Sequence, residues 1–148
     1  PCASKKLEAS RRTVRSDVDF VITFEELAGM FEARGLLPET VAAIDKMNDA
    51  TGAGRGYGVA GGVASAIEEG IREYYPDVEV NIEHAERRSE CKKILMLAKA
   101  GKKNGCLIEG MACPGGCIAG AGTNIPIPQA MKEVAGFKAK ADKKIPLI

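Results

Sequence analysis

Glycine is the residue that most restricts what this chain can become. Gly52, Gly54, Gly56, Gly58, Gly61 and Gly62 crowd into residues 51–62 (Thr-Gly-Ala-Gly-Arg-Gly-Tyr-Gly-Val-Ala-Gly-Gly), within a total of 17 glycines in 148 residues. A glycine inside a helix costs roughly 1 kcal/mol relative to alanine, so this stretch is expected to be loop rather than helix. A second group, Gly115 and Gly116, sits between two cysteines in Cys113-Pro-Gly-Gly-Cys117. Glycine concentrated in this way suits a backbone that must come close to another buried object without a Cβ in between.

Between these loops the apolar residues alternate between strand and helix periods. Val18, Phe20 and Ile22 predict a strand over 17–22. Thr23 and Glu26 form a capping box that opens a helix carrying Phe24, Leu27, Ala28 and Phe31, with Gly35 placed to end it. Pro38 is expected to begin a short second helix with Val41, Ile44 and Met47 on its apolar face. After the glycine loop, Val63, Ile67, Ile71 and Tyr74 predict a helix that stops at Pro76. Val78, Val80 and Ile82 predict a second strand, and Cys91, Ile94, Leu95 and Ala98 a helix near 86–100 closing at Gly101. Cys106, Leu107 and Ile108 then form a third short strand that delivers the chain to Cys113, and the Lys-rich tail from 126 to 144 is expected to be helical after Pro128. Strand–helix alternation at this spacing predicts an α/β fold, a small parallel sheet flanked by helices. Function in such folds collects at the carboxyl ends of the strands, which is where the Cys113–Cys117 loop falls.

Charge excludes some functions. With 21 Lys+Arg against 20 Asp+Glu the net charge is +1, which lacks the electrostatic footprint of a nucleic-acid binder. Aromatic residues are 5% and Trp is absent, so base-stacking platforms are also not expected. No apolar run approaches the roughly 18 residues of a membrane span and no secretory signal opens the sequence, so a cytoplasmic single domain is expected. Five cysteines suit no secreted disulfide framework. The opening Pro1-Cys2-Ala-Ser-Lys5-Lys is expected to be the interior of a longer chain.

Two motifs carry chemistry. Gly56-Tyr-Gly58-Val-Ala-Gly61 has the form G-x-G-x-x-G ahead of a helix, the pattern of a phosphate cradle and hence of a nucleotide-binding module. No strand is predicted immediately before it and no acidic residue is expected at the end of a following strand to hold a ribose, so close backbone packing is the better account. Cys113-Pro-Gly-Gly-Cys117 has no second C-x-x-C or histidine pair to complete a zinc tetrahedron. Taken alone it reads as a pair of buried or reactive thiols; iron–sulfur ligation by Cys2, Cys113 and Cys117 is the alternative. His84, the one histidine, and the isolated Cys91 and Cys106 read as structural residues.

Four segments in order resemble the iron-only ([FeFe]) hydrogenases. Met111-Ala-Cys113-Pro-Gly-Gly-Cys117 resembles the signature M-A-C-P-G-G-C, and Pro1-Cys2-Ala-Ser-Lys5-Lys-Leu-Glu8 resembles P-C-x-x-K-K-x-E. Asp17-Val-Asp19 with Thr23, Glu26 and Leu27 is similar to the stretch between those signatures, and Gly52–Val63 to a G-A-G-x-x-F-G-x-x-G-G-V loop. The resemblance implies that residues 1–148 are the C-terminal lobe of a two-lobed catalytic domain, without the family's first cluster signature T-S-C-C-P, holding an H-cluster, which is a [4Fe-4S] cluster joined to a two-iron subsite. It further implies metal ligation by Cys2, Cys113 and Cys117, with Cys117 bridging to the subsite. Lys5 would donate to a cyanide ligand, Met111 and Tyr57 would line the pocket, and Gly58, Pro114, Gly115 and Gly116 would form the cluster's surroundings. The activity implied for the full-length protein is reversible oxidation of dihydrogen; this chain alone is expected to be inactive, and metal-free when expressed in air. The expected partners are the N-terminal remainder of the same protein and a ferredoxin-like electron carrier. Gly120-Ala-Gly122-Thr123-Asn124 departs from the family's G-G-Q-P, and Arg55-Gly56 replaces apolar residues, which points to a divergent or sensory branch. A non-catalytic iron–sulfur sensor or electron-transfer module is therefore the rival expectation.

Overall fold

A computed structural model describes residues 1–11, 17–44 and 50–143. The chain divides into two units, Pro1–Lys46 with Gly120–Ile125, and Met47–Ala119 with Pro126–Ile148. In the first unit, helix α1 spans Ala3–Ala9 and helix α2 spans Phe24–Ala33, followed by a 3-10 turn at Pro38–Thr40. The capping box expected at Thr23 is present. The Glu26 amide donates to Thr23 Oγ1 at 3.2 Å, and the Thr23 amide donates to Glu26 Oε2 at 2.8 Å. At the other end Gly35 adopts φ +66°, its amide donates to Glu32 O and the Leu36 amide to Phe31 O, both at 2.9 Å. This is a complete Schellman stop.

Two expectations fail in this unit. Residues 17–22 form no strand, and Phe20 is 87% exposed. Alternation specifies a strand only where a neighbour completes the hydrogen-bonded ladder, and no described residue pairs with this segment. The Val21 carbonyl instead accepts from Lys6 Nζ at 3.0 Å. The helix expected from Pro38 is one 3-10 turn, and Val41 is already extended (ψ 121°). Val41 and Ile44 are exposed, so no buried face repays the cost of nucleating a helix; Met47 lies outside the described residues.

In the second unit, helix α3 is Gly52–Arg55, α4 is Gly62–Tyr74, strand β1 is Asn81–Glu86, α5 is Arg87–Lys99, β2 is Cys106–Met111, a 3-10 turn spans Cys117–Ala119, and α6 is Ile127–Ala139. β1 and β2 pair in parallel, with Asn81 opposite Cys106 and Glu86 opposite Met111. The α/β class with a small parallel sheet is what the sequence predicts. A two-stranded sheet is marginal by itself; α5 packs on both strands, and Ile94 of α5 and Ala85 of β1 are both buried.

The first of these strands is shifted from its expected place. It begins at Asn81, so Val78 and Val80 precede it and only Ile82 is shared. Backbone pairing with Cys106–Met111 places the strand, overriding apolar alternation. The 51–62 stretch is likewise not all loop, because α3 forms one helical turn. Thr51 Oγ1 accepts the Gly54 amide at 3.0 Å, and Arg55 lies 4.6 Å from the centre of the Phe137 ring while donating to Phe137 O at 3.2 Å. These contacts with α6 offset the glycine penalty. On α4 the buried residues are Ala64 and Ala66, whereas Ile67 and Tyr74 of the expected apolar face are exposed.

Lys6 Nζ donates to both Glu26 carboxylate oxygens at 2.7 Å, tying α1 to α2. That bond, followed by the Thr23 backbone N–H, holds the Glu26 carboxyl below its ordinary value. The resulting stabilisation is present above the ordinary glutamate range and is lost as pH falls through the lowered value. Lys6→Gln should move the Glu26 titration upward toward the ordinary glutamate range in an NMR titration of its carboxyl carbon. An unmoved titration would show that the ion pair does not form in solution.

Candidate metal centre

β2 ends at Met111, and the chain turns at once into Cys113-Pro-Gly-Gly-Cys117. Gly115 and Gly116 adopt φ of +90° and +88°, a region that side chains with a Cβ resist. The loop closes on itself through the Gly116 amide donating to Cys113 O at 3.0 Å. It then docks on the glycine loop. The Ala60 amide donates to Gly115 O at 3.1 Å, and the Ile118 amide donates to Gly58 O at 3.0 Å. A Cβ on Gly116 would stand 2.7 Å from Gly58 O and Val59 C, and closer still to Ala60 N. The buried object expected beside the first glycine cluster is therefore the second one.

Two carboxylates frame this contact. Glu109, on β2, has a side chain only 8% exposed. Its Oε2 accepts the Gly61 amide at 2.6 Å and its Oε1 accepts the Ala64 amide at 3.1 Å. A carboxylate at the first turn of α4 is favoured by the helix dipole. It also occupies the donors that a nucleotide phosphate would use, so the G-x-G-x-x-G pattern does not act as a phosphate cradle here. His84 Nδ1 lies 3.3 Å from Glu109 Oε2, with the ring half-exposed. An acidic residue does end the strand after the glycine loop, but its carboxylate is engaged by the cysteine loop. It is Glu86, and its Oε2 accepts the Gly115 amide at 2.7 Å. Neither glutamate is singled out by sequence motifs. The available signal is an acidic residue at or near the end of each parallel strand, beside glycine loops rich in unpaired N–H groups.

The remaining candidates are placed as follows. Cys113 is partly exposed and Cys117 exposed, and all five cysteines are free thiols. Met111 is the last residue of β2, Tyr57 is exposed, and Pro114 is exposed at the loop tip. In the first unit Cys2 is the N-cap residue of α1 and its side chain makes no capping bond. Gly122 holds its neighbour, donating its amide to Pro1 O at 2.7 Å, where a Cβ would stand 2.8 Å from the same oxygen. Lys5 Nζ pairs with Glu8 Oε2 at 2.6 Å. Thus Cys113, Pro114, Gly115, Gly116, Cys117 and Gly58 are brought together in one unit, and Cys2 and Lys5 belong to the other. Cys91 Sγ donates to Ala85 O at 3.5 Å and is a packing thiol.

Among the described residues no three His, Cys, Asp or Glu side chains gather as a ready metal site. The donor set nevertheless fits an iron–sulfur group. Thiolates are its usual ligands, and both loop thiols are free of disulfides.

The loop with two free cysteines at the carboxyl end of the parallel pair is thus the candidate site of an α/β domain. Residues 1–121 match the family described as "Iron only hydrogenase large subunit, C-terminal domain", and the chain belongs to that family. It is 32% identical to the periplasmic [Fe] hydrogenase large subunit of Nitratidesulfovibrio vulgaris, over an alignment of 158 residues covering 82% of this chain and 37% of the relative. It is 29% identical to iron hydrogenase 1 of Clostridium pasteurianum, over 175 residues covering 95% of this chain and 30% of the relative. The chain thus spans about a third of the length of these curated relatives. Among the described residues no helix is long and apolar enough to cross a membrane. One relative is named periplasmic, so family membership does not assign the cytoplasm.

Gly115→Ala would place its Cβ 3.4 Å from Ala119 Cβ and Ile127 Cγ2, an ordinary contact. It should cost about 1–2 kcal/mol from the left-handed backbone alone. Gly116→Ala adds a backbone collision and should cost distinctly more in urea unfolding. Equal costs for the two variants would show that the loop does not dock on Gly58–Ala60.

Proposed function

We propose that this chain is part of an iron-only hydrogenase that catalyses reversible oxidation of dihydrogen to protons and electrons. The observation carrying the reading is the Cys113–Cys117 loop, which presents free thiols on a backbone fixed by the glycine loop, in a chain of this family. Cys2, Cys113 and Cys117 would hold the iron–sulfur group. When bound, that group supplies the electron transfer and the open iron position at which dihydrogen reacts.

The chain's own residues provide the setting. Lys5 carries a compact ammonium suited to an anionic ligand of the group, and would exchange its Glu8 partner for that ligand. Met111 and Tyr57 would form an apolar wall that keeps water away, with Tyr57 where the family usually has Phe. The remainder of the subunit would supply further ligands, and a ferredoxin-like carrier would take or deliver the electrons.

Iron and acid-labile sulfide per chain after anaerobic reconstitution test the metal site. We expect near-stoichiometric iron and sulfide in the wild type and their loss in the Cys113→Ser/Cys117→Ser double variant. Iron retained in that variant overturns the site. In the whole subunit, Cys117→Ser should abolish hydrogen turnover, and retained turnover would refute the role given to this thiol. Departure from the family's pattern at Gly120–Asn124 favours one rival, a cluster-binding sensor or electron-transfer module. A wild-type subunit that holds iron but shows no turnover would establish that rival instead.

A further inference from the structure

The Glu86 carboxylate contacts the cysteine loop through a single main-chain donor, the Gly115 amide at 2.7 Å. Its position at the end of β1 is tightly determined. Its own amide donates to Glu90 Oε2 at 3.0 Å, and the next residue, Arg87, already belongs to α5. Arg87 adopts φ +70°, the one positive φ at a non-glycine position among the described residues. A left-handed conformation there costs roughly 1–2 kcal/mol. The chain accepts this strain to pass from strand to helix without a connecting residue, which keeps Glu86 level with Met111 at the sheet's carboxyl end. The cleft beside the loop is lined by His84, Glu86, Arg87, Glu90 and Pro114.

We propose that Glu86 is a positioning residue for the metal-binding loop. Its carboxylate takes the Gly115 N–H and sets a negative charge beside Cys113 and Cys117. This fixes the loop and holds an iron–sulfur cluster there at a lower reduction potential. Two effects act in the same direction. An amide bound to a carboxylate is withdrawn from cluster or cysteine sulfur, where a hydrogen bond would favour the reduced, more negative state. The nearby carboxylate charge disfavours that same state. The redox part of the inference rests on reading the loop as an iron–sulfur site.

Glu86→Gln keeps an acceptor oxygen and removes the charge, whereas Glu86→Ala removes both. In the metal-free chain, Glu86→Ala should speed amide hydrogen exchange at Gly115 at least tenfold, with exchange in α4 unchanged, and Glu86→Gln should stay near the wild type. Unchanged exchange in Glu86→Ala overturns the positioning role. After anaerobic reconstitution, Glu86→Gln should raise the cluster's midpoint potential by the equivalent of a tenfold change in its reduction constant, about 59 mV for one electron. EPR-monitored titration reads this shift, and Glu73→Gln, on the exposed side of α4, should show none. An unshifted potential in an iron-loaded Glu86→Gln variant overturns the redox role. The titration is made on the whole subunit, and a whole wild-type subunit that binds no iron overturns the iron–sulfur reading and the redox role with it, while exchange at Gly115 still decides the positioning role.

Discussion

The structure of the larger unit depends on main chain meeting main chain, the Gly115 carbonyl on the Ala60 amide and the Ile118 amide on the Gly58 carbonyl. Two loops come this close only where no Cβ stands between them, and at Gly116 none can be accommodated. The two glycine clusters, far apart in the chain, are therefore the two halves of one contact. Because backbone atoms fix the loop, the cysteine side chains are not needed to hold it. Neither thiol is tied up in a disulfide.

Carboxylates complete what the glycines begin. A loop–helix junction rich in glycine exposes amides that need acceptors, and the parallel strands deliver two. Glu109 satisfies Gly61 and Ala64 at the start of α4, and Glu86 satisfies Gly115. The same amides, left open, would form an anion site of the kind found in nucleotide-binding folds. Filling them with side chains of the chain itself turns a phosphate-type motif into scaffolding for the cysteine loop. The identity of the acceptor, rather than the spacing of glycines, decides which chemistry the motif supports.

Local signals were therefore legible and long-range ones were not. Thr23 and Glu26 announce the start of α2, and Gly35 its end, because capping and left-handed stops are settled within a few residues. Cys106–Ile108 could be read as a strand leading to the cysteine loop because the apolar run and the motif adjoin. Residues 17–22 and 78–80 have equally good strand patterns and are not strands, since no described residue offers them a ladder to pair with. The one-turn helix at Gly52–Arg55 was hidden because Phe137 holds Arg55 across the unit. At the site, the cysteines were visible from their motif. Glu86 and Glu109 were not, because an acidic residue acquires a role only when a loop distant in sequence brings its amides alongside.

The core carries this reliance on backbone proximity through the rest of the unit. Its buried apolar residues are Ala53, Ala64, Ala66, Ala85 and Ala130, with Ile94 as the one large member among the described residues. Alanine buries little apolar area, so at roughly 25 cal/mol per Å² such a core contributes modestly through the hydrophobic effect. What it provides is close approach of α3, α4, α6 and the sheet, which leaves each backbone few ways to shift. A polynuclear metal group needs ligand positions that hold through changes in its charge. A frame of short methyl contacts and main-chain hydrogen bonds meets that need better than long side chains free to change rotamer. The alanine core, the glycine contact and the two carboxylates thus converge on one result, a cysteine loop whose geometry is set by its own backbone contacts.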